Sequence, residues 1–253
     1  MIIAKLQSSV RSGVLRPIRK LGLAVATQWP WPVRCRIRSG QTMYLDLRST
    51  VGRTLFMQGE FDPGVFRPLG QCLQKGDTFL DVGANVGYYS MLALQLVGPH
   101  GAVHAFEVDE RPLRCLRSTI ADSCITNLHL HETAVGDKIG TAYFVREAEA
   151  GNSHLVDNGR TSDLEVPMTT LDEWYRESGK RAVRAIKLDV EGGEAAVLAG
   201  ARQLLTEQRP LVICEAWDGH SVTESRSAAL LRELDFSITA LPNVHSPCFV
   251  ATV

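Results

Sequence analysis

The sequence predicts a three-layer α/β sandwich, and three observations predict it. Short β-forming runs alternate with helical stretches from residue 65 to the last residue. Residues 77–90 read as strand, small-residue turn and helix, with Gly83 and Gly87 in the turn. Roughly 20 residues past that turn a second strand, Ala102 to Glu107, ends in an acid.

The 253 residues, 45% hydrophobic and 22% charged, suit one large domain with an ample core. Charge is uneven along them. Of 27 Lys and Arg, eight precede residue 46, where no acid occurs, so the 28 acidic residues crowd the remainder. Residues 1–47 therefore read as a basic helix-and-hairpin extension and 48–253 as the main domain. An acidic main domain repels phosphate, which excludes nucleic acid as partner. Six cysteines without a C-x-x-C pair indicate neither a zinc knuckle nor a redox site. No run approaches the ~20 apolar residues of a membrane span, and Leu21 to Ala26 is too short for a secretory signal. Cytoplasmic location is the default.

In chain order, Met1 to Thr27 has apolar residues at helical spacing between Arg and Lys, with Pro17 breaking or restarting the helix. A basic amphipathic helix either lies on an anionic membrane surface or packs on its own acidic domain. Trp29 to Pro32 reads as an extended linker. Val33 to Leu47 alternates at period two around a Ser-Gly turn, which predicts a hairpin. Arg48 to Gly59 and Val65 to Leu73 are helical, and a section of this kind commonly forms a lid over a ligand. Asp109 caps a helix through Leu113, Leu116 and Ile120, and Leu128 to Ala134 is the third strand. Ile139 to Val145 and Leu164 to Met168 are extra strands around a polar loop, Glu147 to Ser162, that contains His154; such loops are usually functional or disordered. Thr170 and Glu173 form a capping box. Ala195 to Leu205 is a helix, Pro210 to Glu215 a strand, Ser221 to Leu234 a helix, and the last strands are Phe236 to Leu241 and Pro247 to Val253.

The glycine turn carries the chemistry. A dinucleotide fingerprint needs G-x-G-x-x-G, but the positions here are Gly83, Asn85 and Tyr88, so a dehydrogenase is disfavoured. Gly83 and Gly87 let backbone approach a ligand at a helix N-terminus. Asp81, two residues before Gly83, suits a cationic ligand such as S-adenosylmethionine. Glu107 accepts ribose hydroxyls, each such bond being worth about 1.5–3 kcal/mol. Val135 and Asp137 are placed to meet an adenine edge, although an ordinary Gly-Asp turn explains Asp137 as well.

Residues 185–194 are the second unusual stretch. Alternation puts Lys187 and Asp189 on one side of a strand, where charges are costly unless paired or used. Together with residues 81–87, Phe106-Glu107, residues 134–137, residues 170–172 and residues 210–215, this stretch resembles the FkbM family of S-adenosylmethionine-dependent methyltransferases. The resemblance spans roughly residues 50–215 and leaves the basic section outside it. It implies a Rossmann-like fold with a seven-stranded sheet whose last strand is antiparallel. It also implies methyl transfer, mostly to a hydroxyl oxygen of a sugar or secondary metabolite. Where the family has Gly-x-Tyr-Glu, this chain has Gly59-Glu-Phe-Asp62, so any role of that aromatic hydroxyl is lost.

For the proton of the acceptor hydroxyl, Asp189 is the first candidate base, with Lys187 orienting it and Glu191 at the crevice edge; His154 is the rival. The alternatives stay open: a structural Lys187/Asp189 ion pair, helix-start acids at Glu191 and Glu194, or Mg2+ held by Asp189, Glu191 and Glu215. A catalytically silent S-adenosylmethionine-binding module with a membrane-surface or protein partner is the competing class. Neither the acceptor nor the oligomeric state is written in the sequence.

Overall fold

A hairpin of β1 (Val33–Arg36) and β2 (Thr42–Leu45) opens the computed structural model, which describes residues 29–145, 154–156, 164–216, 221–242 and 244–253. The helix expected over Met1 to Thr27 and most of the polar loop lie outside the described residues. After the hairpin come α1 (Thr50–Gln58) and α2 (Pro63–Cys72), then β3 (Thr78–Val82), α3 (Tyr88–Val97), β4 (Ala102–Phe106), α4 (Glu110–Asp122) and β5 (Leu128–His131). A smaller unit follows, β6 (Ala134–Val135), β7 (Gly140–Val145), β8 (His154–Val156) and β9 (Leu164–Thr169). The chain then returns through α5 (Leu171–Glu177), β10 (Ala185–Leu188), α6 (Glu194–Ala199), α7 (Arg202–Gln208), β11 (Leu211–Glu215), α8 (Arg226–Glu233), β12 (Ser237–Ala240) and β13 (Cys248–Thr252).

The main sheet has seven strands in the order β12-β13-β11-β10-β3-β4-β5. It is parallel except for β13, which runs antiparallel to β11 and β12. Strand order reverses between β3 and β10, and a crevice at the carboxyl ends of such a pair is where open α/β sheets bind ligands. The last strand does not close an edge; it inserts between β11 and β12.

Alternation along β3 and β10 sorts side chains to two faces. Phe79 and Ala185 join α3 and the hairpin in one core, while Leu80, Val82, Ile186 and Leu188 join α5 to α8 in the other. Asp81 and Lys187 are partners in the β3/β10 register and share the face of Phe79 and Ala185. Val33, Cys35, Ile37, Met43 and Leu45 are buried in that same core. The hairpin placed in a separate extension by its charge is thus continuous with the domain.

Two expected elements divide. The strand predicted over Leu128 to Ala134 leaves the main sheet after His131, and Ala134 and Val135 pair instead with Met168 and Thr169. The helix predicted over Ala195 to Leu205 breaks at Gly200, which packs so closely that a Cβ would stand 2.1 Å from the Gly136 carbonyl oxygen. Asp172 restarts it, its carboxylate accepting the Gln203 and Leu204 N–H groups at 3.0 and 2.9 Å. Thr170 caps α5 through Glu173 N–H as expected, but the Glu173 side chain turns to Arg176, so the box is half closed.

Candidate active site

The glycine turn is a knot of backbone hydrogen bonds. Gly83 and Ala84 N–H both donate to the Phe106 carbonyl at 3.0 Å, which ties β3 to β4. Gly83, Asn85 and Gly87 have φ of 76°, 52° and 81°, the left-handed region. The steric reason for glycine differs from the expectation. A Cβ on Gly83 would lie 1.8 Å from the Asp189 carbonyl oxygen, and one on Gly87 would lie 2.2 Å from the Leu116 side chain. Both glycines therefore admit neighbouring protein; Gly83 also lines the cavity, whereas Gly87 serves the packing of α3 on α4.

Glu107 organises the turn. One carboxylate oxygen accepts Asn85 N–H at 2.8 Å, and the other accepts Val108 and Asp109 N–H at 2.7 and 2.8 Å. Burial raises its carboxyl to about 7 against the pull of those three donors. A carboxylate has about four lone-pair sites, so capacity remains for a ligand hydroxyl.

A second charged group closes the other end. Lys187 Nζ lies 2.9 Å from Asp189 Oδ2 and 4.9 Å from the Tyr89 ring centre. Burial alone would lower the ammonium, but Asp189, Asp81 and Glu215 raise it. Asp189 hydrogen-bonds Glu215 on the neighbouring strand; burial pushes Asp189 up, and Lys187 with these hydrogen bonds outweighs it, so its carboxyl is lowered. Burial and Asp189 push Glu215 up to about 10. Glu191, at φ 56°, is raised to about 7 by burial and by the Asp189 and Glu194 charges. Glu194 folds back to accept Val190 and Gly192 N–H at 3.0 and 3.2 Å, which shapes the loop.

One cavity of about 330 Å³ joins the two ends, inside the ~300–1,000 Å³ range of small-molecule sites. Gly83, Asn85, Glu107 and Val135 line one end; Lys187, Asp189, Glu191 and Glu215 line the other. Asp46 to Val51, Phe61 and Asp62 line it from the section before β3, in the position of a lid. Asp62 accepts His245 N–H with both oxygens at 2.8 Å, fastening that section to the loop before β13.

Several expected site residues stand elsewhere. Asp81 lies beneath the turn, wholly buried, with Oδ2 accepting from Ser90 at 2.6 Å and Oδ1 unpartnered. Its charge answers Lys187 across the β3/β10 register, so it does not stand on the cavity wall. Asp137 is exposed and outside the lining because the chain has already turned into the small sheet. His154 opens β8 opposite Val145, and its side chain lies outside the described residues. Sequence reasoning missed Tyr89, His245 and Ser246, and valued Glu215 only as a metal ligand. The departure at Gly59 to Asp62 was the signal that could have found the lid.

Asp189, Glu191 and Glu215 place oxygens within 4.8 Å of one another, the separation of a divalent site. The Lys187 ammonium already sits on Asp189, however, supplying the positive charge that a metal ion would bring. For S-adenosylmethionine the fit is better: Glu107 would hold the ribose, Gly83 and Asn85 would cradle the chain between, and the carboxylates would face its cationic end.

Such a sheet, with its turn at the switch point and acids at both strand ends, defines a class I methyltransferase scaffold. The Methyltransferase FkbM domain model matches residues 81–238, and the chain belongs to the FkbM methyltransferase family. Among its relatives, 2-O-methyltransferase NoeI of Sinorhizobium fredii is 28% identical over 163 residues, covering 57% of this chain and 66% of that protein. The 31-O-demethyl-FK506 methyltransferase FkbM of Streptomyces tacrolimicus is 26% identical over 213 residues, covering 71% and 79%. The solved methyltransferase FkbM of Methylobacillus flagellatus KT shares the fold, with a TM-score of 0.53 at 16% identity over 78% of this chain and 52% of that one. The chain thus spans about two thirds of the first relative and about half of that solved chain.

Proposed function

We propose that the protein transfers a methyl group from S-adenosylmethionine to a hydroxyl oxygen of a sugar or secondary metabolite. The observation that carries this is the single cavity running from Glu107 to Asp189. When bound, the cofactor supplies a methyl group on a sulfonium. The protein's work is to hold the acceptor oxygen in line, and positioning of that kind can be worth about 7–11 kcal/mol. Asp189 is ionised, its side chain is one-third exposed into the cavity at 34%, and it accepts the hydroxyl proton as transfer proceeds. Lys187 holds its orientation. The names of the two relatives, both O-methyltransferases, support a hydroxyl acceptor.

Glu191 gives a second reading of the base. Its carboxyl, at about 7, is better matched to neutral pH than that of Asp189. Calorimetry with S-adenosylmethionine, S-adenosylhomocysteine and NAD, followed by labelled methyl transfer to a panel of monosaccharides and glycosides, tests the proposal. Binding of NAD alone contradicts it, and cofactor binding without transfer to any fraction of cell extract favours a silent module.

No helix among the described residues is long and apolar enough to cross a membrane. The basic composition before residue 28 supports a peripheral contact with anionic lipid in the cytoplasm, tested by liposome flotation, which must weaken as salt rises.

A further inference from the structure

Glu215 ends β11 at the cavity, 6% exposed, and its register partner is Cys248 of β13. Its carboxyl meets that of Asp189 in a hydrogen bond and also bonds Ser246. An ionised carboxylate only accepts, so two carboxyl groups joined this way hold one proton between them. Lys187 decides which residue holds it. The ammonium lies on Asp189, which favours the charged form there and leaves the proton on Glu215.

We propose that Glu215 is a positioning residue whose proton is donated permanently to Asp189, so that Lys187 and Glu215 together fix the Asp189 carboxylate and turn its remaining lone pairs to the acceptor hydroxyl. The inference rests on the proposed methyl transfer, with Asp189 as base. Glu215 contributes no proton to the product and remains neutral throughout.

Every element around Glu215 agrees with this. From β10 it faces Asp189 and Lys187, and from β13 and the loop before it Cys248 and Ser246. Asp62, Tyr89 and Asp81, from α2's start, α3 and β3, surround the same pair. Lys187 is the cation these items share, so one negative charge at Asp189 is compensated more readily than two. Glu215→Gln keeps a hydrogen-bond donor where the acid stood. Glu215→Ala removes it.

Infrared difference spectra of the full chain test the proton directly. Near pH 8.5 the pH lies above the values of Glu107 and Glu191, both about 7, and below that of Glu215, about 10. Wild type minus Glu215→Gln then shows a protonated carboxylic-acid carbonyl band; a carboxylate band in its place, or loss of the acid band on adding magnesium, overturns the proposal. Turnover on the best acceptor of the glycoside panel gives the second readout. Glu215→Ala is expected to lose tenfold or more in kcat with S-adenosylhomocysteine affinity unchanged, and Glu215→Gln to recover most of that loss. The fall of wild-type kcat as pH rises toward 10 should disappear in Glu215→Gln. A glutamine variant as inactive as the alanine variant overturns the positioning role. If no acceptor is methylated by wild type, the proposed function fails, while the infrared result still decides where the proton resides.

Discussion

Gly83 and Asp189 touch through their backbones, since a Cβ on Gly83 would stand 1.8 Å from the Asp189 carbonyl oxygen. The cofactor turn and the end of β10 are therefore one rigid unit. Gly83→Ala has to displace a backbone carbonyl as well as hold alanine at a φ of 76°. Stability should fall by more than the ~1–3 kcal/mol of left-handed strain alone, and S-adenosylhomocysteine affinity should fall with it. Denaturant titration and calorimetry check both. An alanine variant with unchanged stability and affinity would show that the contact constrains nothing.

Glu107 makes cofactor binding pH-dependent. Ligand hydroxyls donate to the ionised form, so S-adenosylhomocysteine affinity should rise with pH through about 7 and level off above it. In the free protein the folded carboxyl is raised above its unfolded value of 4.5, so folding retains a proton. That contribution is fully present below 4.5 and is lost as pH rises toward 7. Glu191 acts with the same sign. The melting temperature of wild type should consequently drop more steeply between pH 5 and 8 than that of Glu107→Gln, whose absolute stability is lower because one acceptor oxygen is gone.

Asp172 belongs to the stretch shared with the family, yet its carboxylate caps α7. Asp172→Ala is expected to cost about 0.5–2 kcal/mol of stability, the usual loss of an N-cap. Calorimetry should find S-adenosylhomocysteine affinity unchanged. Loss of affinity without loss of stability would give Asp172 a role in the site.

Lys187 is buried among Asp81, Asp189 and Glu215. Removing one partner of such a group leaves buried charge uncompensated and typically costs about 3–5 kcal/mol. Lys187→Met should show a loss of that order in urea, smaller at acid pH, where the carboxyls protonate. A loss independent of pH would mean that packing, not charge, is what the lysine provides.

Much of this was legible in the sequence, because periodicity and turn chemistry act locally. The strand-turn-helix at residues 77–90, the acid at Glu107 and the adjacency of Lys187 and Asp189 all follow from spacing within one or two elements. The misplacements share a cause. Asp81 was assigned to the ligand because its partner, Lys187, lies a hundred residues away and meets it only through strand pairing. Gly83 was given to the ligand for want of knowing that Asp189 backs onto it. Asp137 was carried with a strand that in fact leaves the sheet after His131. His245 reaches the site through Asp62, a contact across 183 residues that no local pattern announces.

The account is tested most directly by Asp189→Asn, which keeps the side chain's shape and removes its negative charge. Labelled methyl transfer to the best acceptor and calorimetry with S-adenosylhomocysteine are measured on the same preparation. With Asp189 as base, affinity stays within a few-fold while turnover falls by roughly 10²-fold or more. An asparagine variant that turns over at the wild-type rate contradicts it and moves the proton chemistry to Glu191 or His154.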